Sequence, residues 1–129
     1  MAHTTVFVVS GDPAIRDSVS ELVASASLPS ESFRSLEAWL EAVQPARPGC
    51  LVLDARVCDF HGQERHATYA AVFASRPVVL LIDRGDVPAA VRAIKFGVVD
   101  VLEKPYRGEN LLERIKRVAP AGQDASAAS

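Results

Sequence analysis

The side chains able to do chemistry in this 129-residue chain fall into four short clusters, each directly after an apolar run. Ser10-Gly11-Asp12 follows Thr5 to Val9, Asp54-Ala55-Arg56 follows Cys50 to Leu53, Asp83 to Asp86 follows Val78 to Ile82, and Glu103-Lys104-Pro105 follows Val98 to Leu102. Carboxylates and a lysine can pair charges, ligate a hard cation through oxygen, or neutralise charge around a phosphoryl group. Other chemistries lack their parts. There is no Gly-x-Gly-x-x-Gly or Gly-x-x-x-x-Gly-Lys phosphate loop, and no serine, histidine and acid set falls together after the apolar runs. Cys50 and Cys58 form neither Cys-x-x-Cys nor a metal spacing, and nothing near Cys58 in sequence lowers its pKa, which argues against a redox sensor. His61 and His66 have no metal-ligand partner pattern and are expected as surface histidines.

The elements that must position these clusters can be read from the hydrophobic pattern. Thr5 to Val9 has strand length and composition and stops at the turn-forming Ser10-Gly11-Asp12. Asp12 can cap a helix with Pro13 at its first position, whose apolar face is Ile15, Val19, Leu22, Val23 and Ala26. Leu28-Pro29 ends it, Ser30 to Phe33 is a weak strand, and Ser35 can cap a helix carrying Leu36, Trp39, Leu40 and Val43. Cys50 to Leu53 is a buried strand, Phe60 to Ser75 an Ala-rich helix after a Gly62 turn, and Val78 to Ile82 the most apolar strand. Asp86 caps a fourth helix with Ala90, Val91 and Ile94 expected to face inward and Gly97 closing it. Val98 to Leu102 gives a fifth strand and Gly108 to Val118 a last helix, with Leu111, Leu112, Ile115 and Val118 as its apolar residues.

Five strands alternating with five helices imply a parallel sheet covered on both faces, hence a three-layer α/β/α sandwich. In such sheets ligands sit outside the carboxyl ends of the strands, which is where the four clusters lie. A chain of this length buries roughly 70% of its unfolded surface and needs no second domain to fold. Residues 1–119 are expected to form that domain, with 120–129 a disordered tail or linker stump because they offer no apolar face. The net charge is -2 and Lys and Arg are scattered, which excludes the footprint needed for direct nucleic-acid binding. No stretch of 18 apolar residues and no signal-peptide pattern occurs, so no membrane association is expected and the setting is expected to be cytoplasmic.

The four clusters resemble the active site of response-regulator receiver domains, and the resemblance spans about residues 4 to 118. The run from Gly85 through Val87-Pro88 to Glu103-Lys104-Pro105 is similar to the fourth helix, fifth strand and Lys-Pro of receivers in the nitrogen-fixation regulator subgroup. Leu53-Asp54 with Gly62 is similar to the family's Asp-x-x-Met-Pro-x-x-x-Gly pattern. The resemblance implies a flavodoxin-like, doubly wound five-stranded parallel sheet of order 2-1-3-4-5. It also implies that Asp54 is the phosphoacceptor, that Lys104 is the lysine that binds the phosphoryl group, and that Mg²⁺ is the cofactor.

Several positions depart from that pattern. Where the subgroup reads Asp-Asp-Asp-Pro after its first strand, this chain reads Ser10-Gly11-Asp12-Pro13. Only Asp12, Asp54 and the Arg56 main-chain carbonyl remain as ligands, too few for an ion that is usually held through well-placed carboxylates, so no physiological Mg²⁺ site is expected. The family's switch hydroxyl and switch aromatic fall on Ile82 and Val101, which can neither donate to a phosphoryl oxygen nor swing a ring. Asp83 or Arg84 could reach toward Asp54, though both are expected as solvated loop charges. With the metal ligands gone, Lys104 has Asp54 as its counter-charge, and a direct ion pair is expected to hold the pocket in one state.

Two functions follow from the resemblance. The first is a pseudo-receiver that acts by protein–protein interaction without Mg²⁺-dependent phosphorylation, and is not an enzyme beyond any acceptance at Asp54. The second is a working phospho-receiver that takes phosphate from a histidine kinase onto Asp54 and regulates a helix-turn-helix output domain. For either, the resemblance places partner docking or homodimerisation on the fourth helix, fifth strand and fifth helix, with Val87, Val91, Lys95, Val99 and Leu111 as interface residues.

Overall fold

The structure, a computed structural model, describes residues 4–44, 47–58, 66–97 and 100–118. Its strands are β1 (Val6–Val9), β2 (Ser30–Phe33), β3 (Cys50–Asp54), β4 (Val78–Ile82) and β5 (Asp100–Glu103). The helices are α1 (Pro13–Ser25), α2 (Leu36–Ala42), α3 (His66–Ser75), α4 (Val87–Lys95) and α5 (Gly108–Val118), with a 3₁₀ turn at Ala55–Val57. All neighbouring strands are parallel, in the order β2-β1-β3-β4-β5. The expected doubly wound, flavodoxin-like sandwich is therefore the observed one. The ends of the expected third helix and fifth strand, including Phe60, Gly62 and Val99, lie outside the described residues, as do His61, the side chain of His66 and the tail.

Side-chain alternation along the buried strands sends one set of residues to each face. Phe7, Val9, Leu51, Leu53, Leu80 and Ile82 pack with α2, α3 and α4. Val6, Val8, Cys50, Val52, Val79 and Leu81 pack with α1 and α5. The caps read from sequence form as hydrogen bonds. Asp12 accepts from the Ala14 amide at 2.9 Å, Ser35 from Ala38 at 3.0 Å and Asp86 from Ala89 at 3.2 Å. Gly97, at φ +102°, follows α4 in the left-handed conformation that favours glycine.

Two expectations about helix faces are corrected. On α4 the inward residues are Ala89 and Ala93, while Val91 and Ile94, expected inward, point to solvent at 45% and 61% exposure, alongside Val87. The physical reason is space. Tyr69 and Phe73 of α3 pack edge-on against Phe96, with ring centroids 5.7 and 6.0 Å away, and this aromatic cluster and the α4 alanines belong to the same buried core. Small residues spaced by four let the helix lie close to the sheet. Leu111, expected at an interface, is fully buried, because Leu111 and Ile115 form the inward stripe of α5.

Candidate functional site

Strand register builds the site. Val9 is paired with Leu53, so Ser10 and Asp54 leave the sheet side by side; Ile82 is paired with Glu103, so the next residues, Asp83 and Lys104, also emerge together. Adjacent strands lie about 4.8 Å apart, close enough for each pair of side chains to touch directly. Four elements of the chain thus converge at one end of the sheet.

At the centre is Asp54, only 1% exposed. Its Oδ2 accepts the hydroxyl hydrogen of Ser10 at 2.8 Å, and Ser10 is itself fully buried. Its Oδ1 accepts from Lys104 Nζ at 2.8 Å and from the Arg56 amide at 3.1 Å. The second of these caps the 3₁₀ turn, so Asp54 also does the structural work of a turn cap. A buried carboxylate held by a charged donor and two neutral ones is satisfied on both oxygens.

Lys104 has a second partner. Its Nζ lies 3.3 Å from Asp83 Oδ1, and Asp83 Oδ2 lies 3.7 Å from Arg56 Nε. Asp83 is therefore not a solvated loop charge, as the sequence had suggested; it is half-exposed but closes an alternating chain of Asp54, Lys104, Asp83 and Arg56. Arg16 adds a further positive group, donating to the Ser10 carbonyl at 2.7 Å. Tyr106 is half-buried nearby, and burial pushes its phenol up despite the opposing charge of Lys104.

The positions where the receiver pattern would have metal ligands make other contacts here. Ser10 spends its hydroxyl hydrogen on Asp54, Gly11 has no side chain, and Asp12 turns its carboxylate to the Ala14 amide of α1. Among the described residues no three histidine, cysteine or acidic side chains cluster together. A crevice of about 460 Å³ does open here, lined by Gly11, Asp12, Pro13, Asp54, Arg56 and Val57. Lys104 and the Arg56 amide take one Asp54 oxygen and Ser10 the other, which leaves little of this carboxylate for the near-octahedral oxygen ligation that Mg²⁺ needs.

The expected switch positions lie in the layer beneath α3 and α4, where Ile82 is buried in the core and Val101 packs half-buried against it. Of the expected interface residues, Val87, Val91 and Lys95 are exposed on α4, and Val99 lies outside the described residues. Sequence reasoning missed Ser10 as a donor to Asp54 and Asp83 as a partner of Lys104. Both could have been found by carrying the strand order one residue past each strand end.

Comparison with known proteins gives one consistent outcome. The family model described as the response regulator receiver domain matches residues 6–116. The chain is 34% identical over 114 residues to the response regulator protein TmoT of Ectopseudomonas mendocina, covering 88% of this chain and 52% of that protein. It is 35% identical over 111 residues to the transcriptional regulatory protein FixJ of Bradyrhizobium diazoefficiens, covering 86% of this chain and 54% of that protein. The solved structure titled FixJ-N superimposes with a TM-score of 0.79 at 30% identity, over 94% of this chain and 97% of that one. The chain spans about half the length of the curated relatives it matches. Among the described residues no helix is long and apolar enough to cross a membrane. With the order of the sheet, the placement of an aspartate and a lysine at its carboxyl edge and a family match over most of its length, this chain belongs to the response regulator receiver domain family.

Proposed function

We propose that this receiver domain is a pseudo-receiver: a cytoplasmic signalling module that works by protein–protein interaction, without a Mg²⁺ cofactor and without Mg²⁺-dependent phosphorylation. One observation carries the reading. Both oxygens of Asp54 are already engaged, by Ser10 on one side and by Lys104 and the Arg56 amide on the other. Phosphoryl transfer depends on positioning and charge neutralisation, and a divalent ion shared between carboxylates is the part this pocket lacks. The docking surface in this reading is α4, whose exposed Val87, Val91 and Ile94 recur at helical spacing beside Lys95. A second copy of the chain, a histidine kinase or an output domain is the partner class; nucleic acid and membrane are not.

A second reading is favoured by the Asp54–Lys104 contact itself. An aspartate at the end of β3 within 2.8 Å of a lysine is the pairing a phosphoacceptor would use, and the domain would then take phosphate from a histidine kinase and regulate a helix-turn-helix output domain. Incubation with acetyl phosphate and Mg²⁺ followed by intact-mass measurement separates the two. The pseudo-receiver reading expects an unmodified mass. A stoichiometric phosphate adduct in the wild-type chain that is absent from Asp54→Asn would replace it with the second reading.

A further inference from the structure

We propose that Asp83 is an internal counter-anion that mounts the β4–α4 loop on Lys104 and Arg56, and so fixes the orientation in which α4 presents its exposed apolar face. The inference deepens the docking role given to α4 above and rests on it for its functional meaning; the mechanical linkage itself does not depend on any partner.

Three sets of contacts carry it. Asp83 faces two cations at once, with Lys104 Nζ at 3.3 Å and Arg56 Nε at 3.7 Å, so a single carboxylate bridges the Asp54 pocket and the crevice rim. The residue before Lys104 holds the same loop from the other side, since Glu103 Oε2 accepts from the Gly85 amide at 2.6 Å. Within the loop the Asp86 amide donates to the Asp83 carbonyl at 3.0 Å, and the Asp86 side chain caps α4 through Ala89. Asp83 is thus rigidly connected to the first turn of the helix. Two successive residues at the end of β5, Glu103 and Lys104, grip the loop at Gly85 and at Asp83 respectively.

The neighbouring chemistry explains why an anion is needed there. Ile82 offers no hydroxyl through which the pocket could hold this loop, so an uncharged side chain at residue 83 would leave the Glu103 contact to the Gly85 amide and backbone contacts to hold it, with no ionic link to the Asp54 pocket. Half-exposed ion pairs are individually weak. One carboxylate shared by two cations, one of them already fixed on buried Asp54, gives the loop a fixed end. Asp83 is here a positioning residue that acts through Lys104.

The test is hydrogen–deuterium exchange, read by mass spectrometry, on the full 129-residue chain and on Asp83→Asn, Lys104→Met and the double variant. Asp83→Asn is expected to accelerate exchange of amides between residues 84 and 96 by about five-fold or more, through local opening, while amides of β1, β3 and α1 keep their wild-type rates. The double variant is expected to accelerate exchange in that segment by less than the product of the two single effects, because the Lys104 arm is shared while the Arg56 arm is lost only with Asp83. Fully multiplicative effects would mean that the two residues act independently, and would also overturn the proposal. Unchanged exchange between residues 84 and 96 in Asp83→Asn would overturn the proposal, and so would acceleration spread equally over the whole domain. Because neither partner nor phosphate donor is present, failure of the linkage is distinct from failure of the docking reading, which is read by self-association.

Discussion

Ser10 donates its hydroxyl hydrogen to Asp54 Oδ2 at 2.8 Å, and neither side chain reaches solvent to any useful extent. A neutral donor therefore stands beside the central carboxylate at the position where the receiver pattern would have a second acid. This changes the electrostatic problem of the pocket. Adjacent carboxylates repel and call for a cation between them, whereas a hydroxyl and a carboxylate attract and need none.

Magnesium is accordingly expected to leave the melting temperature of the wild-type chain unchanged. Ser10→Asp combined with Gly11→Asp should lose about 1–2 kcal/mol without the ion, through repulsion against Asp54. The double variant should recover about 2.7 kcal/mol when Mg²⁺ is present at one hundred times its dissociation constant. Gly11 can accept the change, since a Cβ there meets nothing closer than the Arg34 carbonyl at 3.9 Å. Thermal unfolding with and without Mg²⁺ checks this, and a Mg²⁺-dependent rise in the wild type would contradict it.

Lys104 supplies the charged partner of a carboxylate that is almost wholly buried, so Lys104→Met should destabilise the domain by about 2–4 kcal/mol. Asp54→Asn removes the buried charge as well as the pair and should cost less, about 1 kcal/mol, with Lys104 keeping its contact to Asp83. Urea unfolding of both variants measures the difference. Equal stability of Lys104→Met and the wild type would mean that Ser10 and the Arg56 amide suffice.

The two corrected helix faces predict opposite behaviour. Leu111→Ala should destabilise by about 2–5 kcal/mol because it opens a cavity in the core under α5. Val91→Ser and Ile94→Ser should stay within about 0.5 kcal/mol of the wild type, as exposed substitutions do, while lowering any self-association seen by analytical ultracentrifugation. A Leu111→Ala chain as stable as the wild type would show that α5 packs differently.

Cys50 opens β3 and is buried under α1 and α5, with its thiol pushed up to about 12, chiefly by burial, with the Asp100 charge adding to the effect and Arg76 opposing it. In the native chain at pH 8 it should resist iodoacetamide and become reactive only on unfolding, which peptide mass spectrometry resolves from Cys58. The sign of the pH effect follows from the raised value. Folding favours the neutral thiol, so this contribution is complete below the ordinary thiol pKa of 9.0 and is lost as pH rises toward 12. Cys50→Ala should flatten the stability profile in that window, measured by urea unfolding between pH 8 and 11.

The sequence by itself determined the alternation of elements, the caps at Asp12, Ser35 and Asp86, and the clusters that gather at the carboxyl edge of the sheet. These are local or periodic signals: a run of buried β-branched residues, an oxygen one place before a helix, a turn-former after a strand. Asp54 and Lys104 were legible for the same reason, since each directly follows a strand-forming run. What tertiary structure alone decided was who faces whom. Ser10 became a donor to Asp54 because β1 lies beside β3, and Asp83 became a partner of Lys104 because β4 lies beside β5. The inward face of α4 was likewise set from outside the helix. Its own pattern admitted Val91 and Ile94 as core residues, whereas in the fold Ala89 and Ala93 join the core that also holds Tyr69 and Phe73, against which Phe96 packs. Hydrophobic periodicity tells which residues can be buried, whereas the volume left by neighbouring elements chooses which of them are.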